Sequence, residues 1–80
     1  MSSRDVLPGL AEVIHQVTEL DPADVQPDRL FVDELRIDSL AMVEILEGTA
    51  RRFDVRIEDE AAKHFVRVRD LTSYVEERLH

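Results

Sequence analysis

The chain has 80 residues, no cysteine and a formal net charge of −8. That length is one domain, residues 1–80, burying somewhat over ~60% of its unfolded surface and leaving little room for a deep enclosed active site. Lack of cysteine excludes disulfides and thiolate metal sites but does not locate the protein; no apolar run approaches the ~20 residues of a membrane span and Met1–Asp5 lacks the apolar stretch of a signal peptide, so a cytoplasmic protein is expected.

Leu7, Leu10, Val13, Ile14 and Val17 fall at helical spacing, with Glu12, Gln16 and Glu19 on the opposite side. The pattern predicts a first helix over about 5–19, with Pro8 near its start, where a missing N–H costs least. Residues 20–38 contain Pro22 and Pro27 and lack long periodicity, so they read as a long connection. Val25, Leu30, Phe31, Val32, Leu35 and Ile37 give that connection enough apolar anchors to be ordered. Asp38 or Ser39 can cap a second helix over about 39–53, with Leu40, Val43, Leu46, Ala50 and Phe53 inward. Leu40 is expected to anchor its start to the core. Gly48 weakens this helix by ~1 kcal/mol relative to alanine, which packing must offset.

A connector at 54–58 leads to a short helix through about 65, capped by Asp59, with Ala61, Ala62 and Phe65 inward. Asp70 is expected to cap a last helix, with Leu71, Val75 and Leu79 inward and Tyr74 on the border. Residues 66–69 alternate, but four residues between helical patterns do not make a convincing strand. The fold expected is all-α: a four-helix bundle with a long first loop and a short third helix.

The charge is unevenly placed. Residues 21–47 hold eight acids against Arg29 and Arg36, whereas residues 48–80 hold seven of each sign. Such a field disfavours nucleic acid and anionic membrane and attracts basic protein surfaces, though it also serves plain solubility. Within this acidic stretch Asp38-Ser39-Leu40 opens the second helix. A serine there faces solvent beside N–H groups that carry partial positive charge, where an esterified phosphate would sit at an anion site. An ordinary helix cap uses the same residue types.

The run from Phe31 to Leu40, FVDELRIDSL, continued in register by Val43-Glu44, Phe53, Ile57, Asp59-Glu60-Ala61, Val68, Leu71 and Tyr74-Val75, resembles the acyl carrier protein family from about Val13 to Leu79. The resemblance implies a non-catalytic carrier. Its Ser39 would receive 4′-phosphopantetheine from coenzyme A through a separate phosphopantetheinyl transferase, with Asp38 and Leu40 flanking it. The arm's thiol would hold acyl groups as thioesters, so the missing cysteine is imported. Partners would include an acyltransferase, a ketosynthase or other acyl-processing enzymes of polyketide or fatty-acid synthesis, and the carrier would act as a monomer. Asp38, Glu44 and Glu47 would meet basic partner surfaces, with Arg51 and Arg52 at the other end of the helix. Phe31, Val32, Phe53, Ile57, Ala62, Phe65 and Val68 match positions that line an acyl pocket in this family, although ordinary core accounts for them too.

Several positions depart from the family's habit. Arg36 stands where glycine is common, Ala41 replaces a frequent acid, and Ala50-Arg51-Arg52 occupies a usually acidic stretch. Glu58 stands in a proline position, and Thr49 where a large apolar residue is common. Specialised partners, as in discrete polyketide synthesis, would fit these departures. Peptidyl or aminoacyl carriage is the near alternative, although the paired glycines that peptidyl carriers more often show before that serine are absent. An acidic helical interaction module, with Ser39 only a cap, is the alternative from another class. His15, His64 and His80 are scattered and no Gly-x-Ser-x-Gly elbow surrounds Ser39, so hydrolase chemistry has no support. No calcium loop or glycine-rich phosphate loop is present.

Overall fold

The computed structural model describes residues 6–79. Four α-helices occur in the order α1 (Val6–Thr18), α2 (Ser39–Phe53), α3 (Asp59–Ala62) and α4 (Val68–Arg78), with a short 3₁₀ turn at Pro22–Asp24. No strand forms among the described residues; the alternating segment contributes one isolated antiparallel bridge, Leu30 to Arg67. The all-α bundle read from periodicity is the fold observed.

The core is shared by three helices and the loop. α1 supplies Val6, Leu10, Ala11, Val13 and Ile14; α2 supplies Ile45; α4 supplies Val68, Leu71 and Val75; the loop supplies Val25, Phe31, Leu35 and Ile37. Burial of this apolar surface is what holds helices too short to be stable alone. α1 ends one residue earlier than its pattern suggests, because Glu19 adopts φ 66° while its N–H donates to the His15 carbonyl oxygen (2.8 Å). The expected start at residue 5 lies outside the described residues.

α1 and α2 cross closely, and each places a glycine against the other. A Cβ on Gly9 would lie 2.6 Å from Phe53 Cζ, and one on Gly48 would lie 2.9 Å from Val13 Cγ1. The helix propensity lost at Gly48 is therefore exchanged for close approach of two backbones.

The last two helices depart from the sequence expectations at their ends. α3 stops at Ala62 instead of running to about 65, and its N-cap is Glu58 rather than Asp59, with no side-chain cap hydrogen bond. α4 begins at Val68, two residues before Asp70. Asp70 still serves its start: Oδ2 accepts from the N–H of Val66 (2.9 Å) and of Arg67 (2.8 Å), so it reaches backward from within the first turn. Tyr74 is buried rather than on the border, at 9% exposure. Its hydroxyl accepts from the Glu58 N–H (3.2 Å), and its ring meets Phe65 edge-on at 5.3 Å between centroids. That contact draws Phe65 in from the segment after α3.

Candidate functional site

Ser39 is set in place by the loop before it. Phe31 is fully buried; its N–H donates to the Val66 carbonyl oxygen (3.0 Å), and its own carbonyl accepts from the Ile37 N–H (3.0 Å). The Val68 N–H donates to Arg29 O, the Arg69 N–H to Pro27 O (2.9 Å), and Arg67 Nη1 to Asp28 O (2.6 Å). Residues 27–31 are thus laced to residues 66–69 by three backbone hydrogen bonds and one from the Arg67 side chain, and the buried Leu35 and Ile37 pin the rest of the loop to the core. The loop is long but has little freedom to move the start of α2.

Arg36 ends the turn formed by residues 31–35 with φ 59°, a left-handed conformation. Such a conformation costs an ordinary side chain roughly 1–2 kcal/mol, which accounts physically for the glycine habit at this position.

Asp38 comes next but one, in an extended conformation, and caps α2, its Oδ1 accepting from the Ala41 N–H (2.8 Å) and its carbonyl from the Met42 N–H (2.9 Å). Ser39 is the first residue of the helix and is exposed; among the described residues nothing hydrogen-bonds its hydroxyl. Among the described residues the backbone N–H groups of Ser39 and Leu40 have no partner, as expected of a first turn. An exposed hydroxyl beside two unused donors fits a phosphate ester, with the helix dipole favouring its charge. The nearest alternative use of a serine, as a nucleophile, needs a base within hydrogen-bond reach, and among the described residues no histidine hydrogen-bonds Ser39; His15 Nδ1 meets the Leu20 carbonyl oxygen (2.8 Å).

Leu40 does not anchor the helix. It is 79% exposed, because Ile45 and Thr49 take the core-facing side of α2 and rotate Leu40 and Val43 outward. Leu40, Val43, Glu44, Glu47 and Arg51 form an exposed stripe leading from Ser39. At 1.5 Å per residue, the stripe runs about 18 Å from the serine to Arg51. The field therefore changes sign along one helix face. Arg52 is not part of that free face: its Nη1 pairs with Glu12 Oε2 of α1 at 2.7 Å. Arg51 has no ion-pair partner among the described residues.

The residues matched to an acyl pocket do not converge. Phe31 and Val68 belong to the main core, Val32 is 66% exposed, Phe53 packs toward Gly9, and Phe65 lies against Tyr74. Ile57 and Ala62 do line a groove of about 230 Å³ between α2 and α3, together with Val43, Leu46 and Ala50, and with Glu47 and Asp59 among its lining. Its apolar α2 members are legible in the sequence as one helical stripe, but not as the part of it left uncovered by α1. Thr49 is fully buried and its hydroxyl has no partner among the described residues. No group of His, Asp and Glu among the described residues could hold a metal, and no described helix is long and apolar enough to cross a membrane.

Comparison with known proteins gives a consistent result. The family described as "Phosphopantetheine attachment site" matches residues 8–75. The chain is 40% identical over 75 residues to an acyl carrier protein of Acidothermus cellulolyticus, covering 94% of this chain and 89% of the relative. It is 41% identical over 75 residues to a meromycolate extension acyl carrier protein of Mycolicibacterium aurum, covering 94% and 77%. A solved acyl carrier protein from Enterococcus faecalis superposes with a TM-score of 0.78 at 23% identity, over 98% of this chain and 99% of that one, and so shares the fold.

Proposed function

This chain belongs to the acyl carrier protein family, and on that premise we propose that Ser39 is the residue bearing its 4′-phosphopantetheine arm. The protein is a non-catalytic carrier of acyl groups with covalently bound 4′-phosphopantetheine. Its partners as a class are a phosphopantetheinyl transferase and acyl-processing enzymes. When bound, the arm supplies a thiol that holds the acyl group as a thioester. The chain's own residues do the positioning. Asp38 caps α2 and orients its first turn, Ser39 presents a free hydroxyl, and the unused N–H groups of that turn would favour the charge of an ester formed there.

The observation that carries the assignment is the exposed, unpartnered hydroxyl of Ser39 at the first position of a helix whose start is fixed by a laced loop. Incubating the apo protein with coenzyme A, magnesium and a broad-specificity transferase should add one phosphopantetheine, read as intact mass. Ser39→Ala should gain nothing. Modification of the Ser39→Ala protein, or no gain in the wild type with several transferases, would overturn the assignment.

The exposed stripe of α2 is the proposed docking face in the cytoplasm for enzymes such as an acyltransferase or a ketosynthase. Asp38, Glu44 and Glu47 attract basic partner surfaces near the arm, while Arg51 asks for an acid about 18 Å away. Arg52 contributes through the α1–α2 pairing instead. Arg51→Glu should lower kcat/KM for transfer with the native partner severalfold at low salt, converging on wild type at high salt. Equal rates at low salt would remove Arg51 from the docking face. The groove at Ile57 and Ala62 is the proposed resting place for part of the acyl chain. It is smaller than the ~300–1,000 Å³ of common small-molecule pockets, so only part of a cargo would enter.

A further inference from the structure

We infer that Arg36 is a phosphate-binding residue of this carrier, pairing with the phosphodiester through which the arm joins Ser39; the inference rests on the Ser39 assignment above. Three observations carry it. Arg36 is exposed, and no hydrogen bond or ion pair engages its side chain among the described residues; Arg29, Arg52, Arg56 and Arg78 each have a carboxylate within 4 Å, while Arg51 and Arg69 share the unpaired state but lie far along the chain from Ser39. Its backbone sits at φ 59°, where glycine would be free of strain. The other two non-glycine residues with positive φ, Glu19 and Asp54, each terminate an α-helix, while Arg36 ends only the turn at 31–35. A strained position occupied by a long cationic side chain with no partner points to a ligand rather than to packing.

Proximity supplies the ligand. Arg36 precedes Ser39 by three residues, so their Cα atoms lie at most about 11 Å apart, within the combined reach of an extended arginine side chain and a phosphate on the serine. Asp38 does not consume the arginine: no ion pair joins the two among the described residues, and Asp38 Oδ1 accepts from the Ala41 N–H instead. Attachment would place a phosphodiester anion next to the Asp38 carboxylate. The helix N-terminus offsets part of that crowding, and a planar guanidinium, able to bind two phosphate oxygens at once, offsets more. With Arg36 engaged, the root of the arm is held toward the loop side of the helix instead of swinging freely.

The test compares apo and holo forms of wild type, Arg36→Lys and Arg36→Gly, each holo form verified by intact mass. The quantity read is the change in Tm from apo to holo, which cancels any backbone effect present in both forms. At low salt the wild-type change should exceed that of Arg36→Gly by ~1–8 °C. Arg36→Lys should keep part of the difference, and ~1 M salt should abolish it. The Arg36 Nε–H resonance should also move on attachment in the wild type. Equal apo-to-holo changes in all three proteins, or an unmoved Nε–H, would overturn the inference while leaving Ser39 as the attachment residue. A wild type that gains no mass would instead overturn the Ser39 assignment and this inference with it.

Discussion

Phe31→Ala should lower the stability of the domain by about 3–5 kcal/mol, measured by urea denaturation followed by circular dichroism. A chain of 80 residues has a total stability of roughly 4–12 kcal/mol, so the variant would stand near its unfolding threshold. The size of the effect comes from position. Phe31 is wholly buried in the core that α1, α2, α4 and the loop share, a close-packed interior in which removal of its ring leaves a cavity. Its backbone bonds to Val66 and Ile37 also tie the loop to α4 and to the residues just before Ser39. Loosening should therefore reach the start of α2, read as faster amide exchange at Ile37 and Asp38. Val32→Ala is the control. That side chain is 66% exposed, and its loss should stay within about 0.5 kcal/mol. A Phe31→Ala loss below about 1 kcal/mol would mean the loop is not held by its aromatic anchor.

Gly9→Val should cost about 2 kcal/mol and lower Tm by roughly 8–16 °C in a calorimetric scan. A Cβ at this position falls 2.6 Å from Phe53 Cζ and 3.0 Å from Arg52 Nε. The arginine end can swing away, although at the expense of its pair with Glu12, a surface contact worth at most about 1 kcal/mol. The phenylalanine ring is partly buried and packed against the core, so its displacement carries most of the loss. Valine recovers only a few tenths of a kcal/mol through better helix propensity than glycine. The reciprocal contact of Gly48 with Val13 shows that the close approach is a property of the α1–α2 crossing, not of one residue. A Tm equal to or above wild type would show that the helices can separate there at little cost.

Much of this architecture is legible in the chain because a helix writes its own period. The apolar spacing in α1 and α2 and the caps around Asp38 are local signals, and α2 runs over the residues its pattern predicts, 39–53. Ser39 stands out less by chemistry than by register with matches along the rest of the chain, since a serine after an aspartate is equally a cap. Leu40 misleads because periodicity marks an apolar stripe without saying how much of it a neighbour will cover. Here Leu40 and Val43 fall on the uncovered edge. The pattern overextends α3 because Phe65 keeps the period, although Phe65 is held by Tyr74 rather than by a continuing helix. It places the start of α4 late because Asp70 caps from inside the first turn, reaching back to two N–H groups.

By itself the sequence determined the helical class, the helix order, the acidic loop with its arginine-tipped second helix, and the position of the serine. These depend on neighbours within one or two turns, so the chain states them directly. Only the tertiary structure decided that the loop is laced to α4, that Arg52 faces Glu12 while Arg51 stays free, that Thr49 is buried, and that Arg36 occupies a left-handed turn with no partner among the described residues. Each of those outcomes depends on which groups distant in the chain are packed within a few ångströms, and no periodicity along the chain encodes that distance.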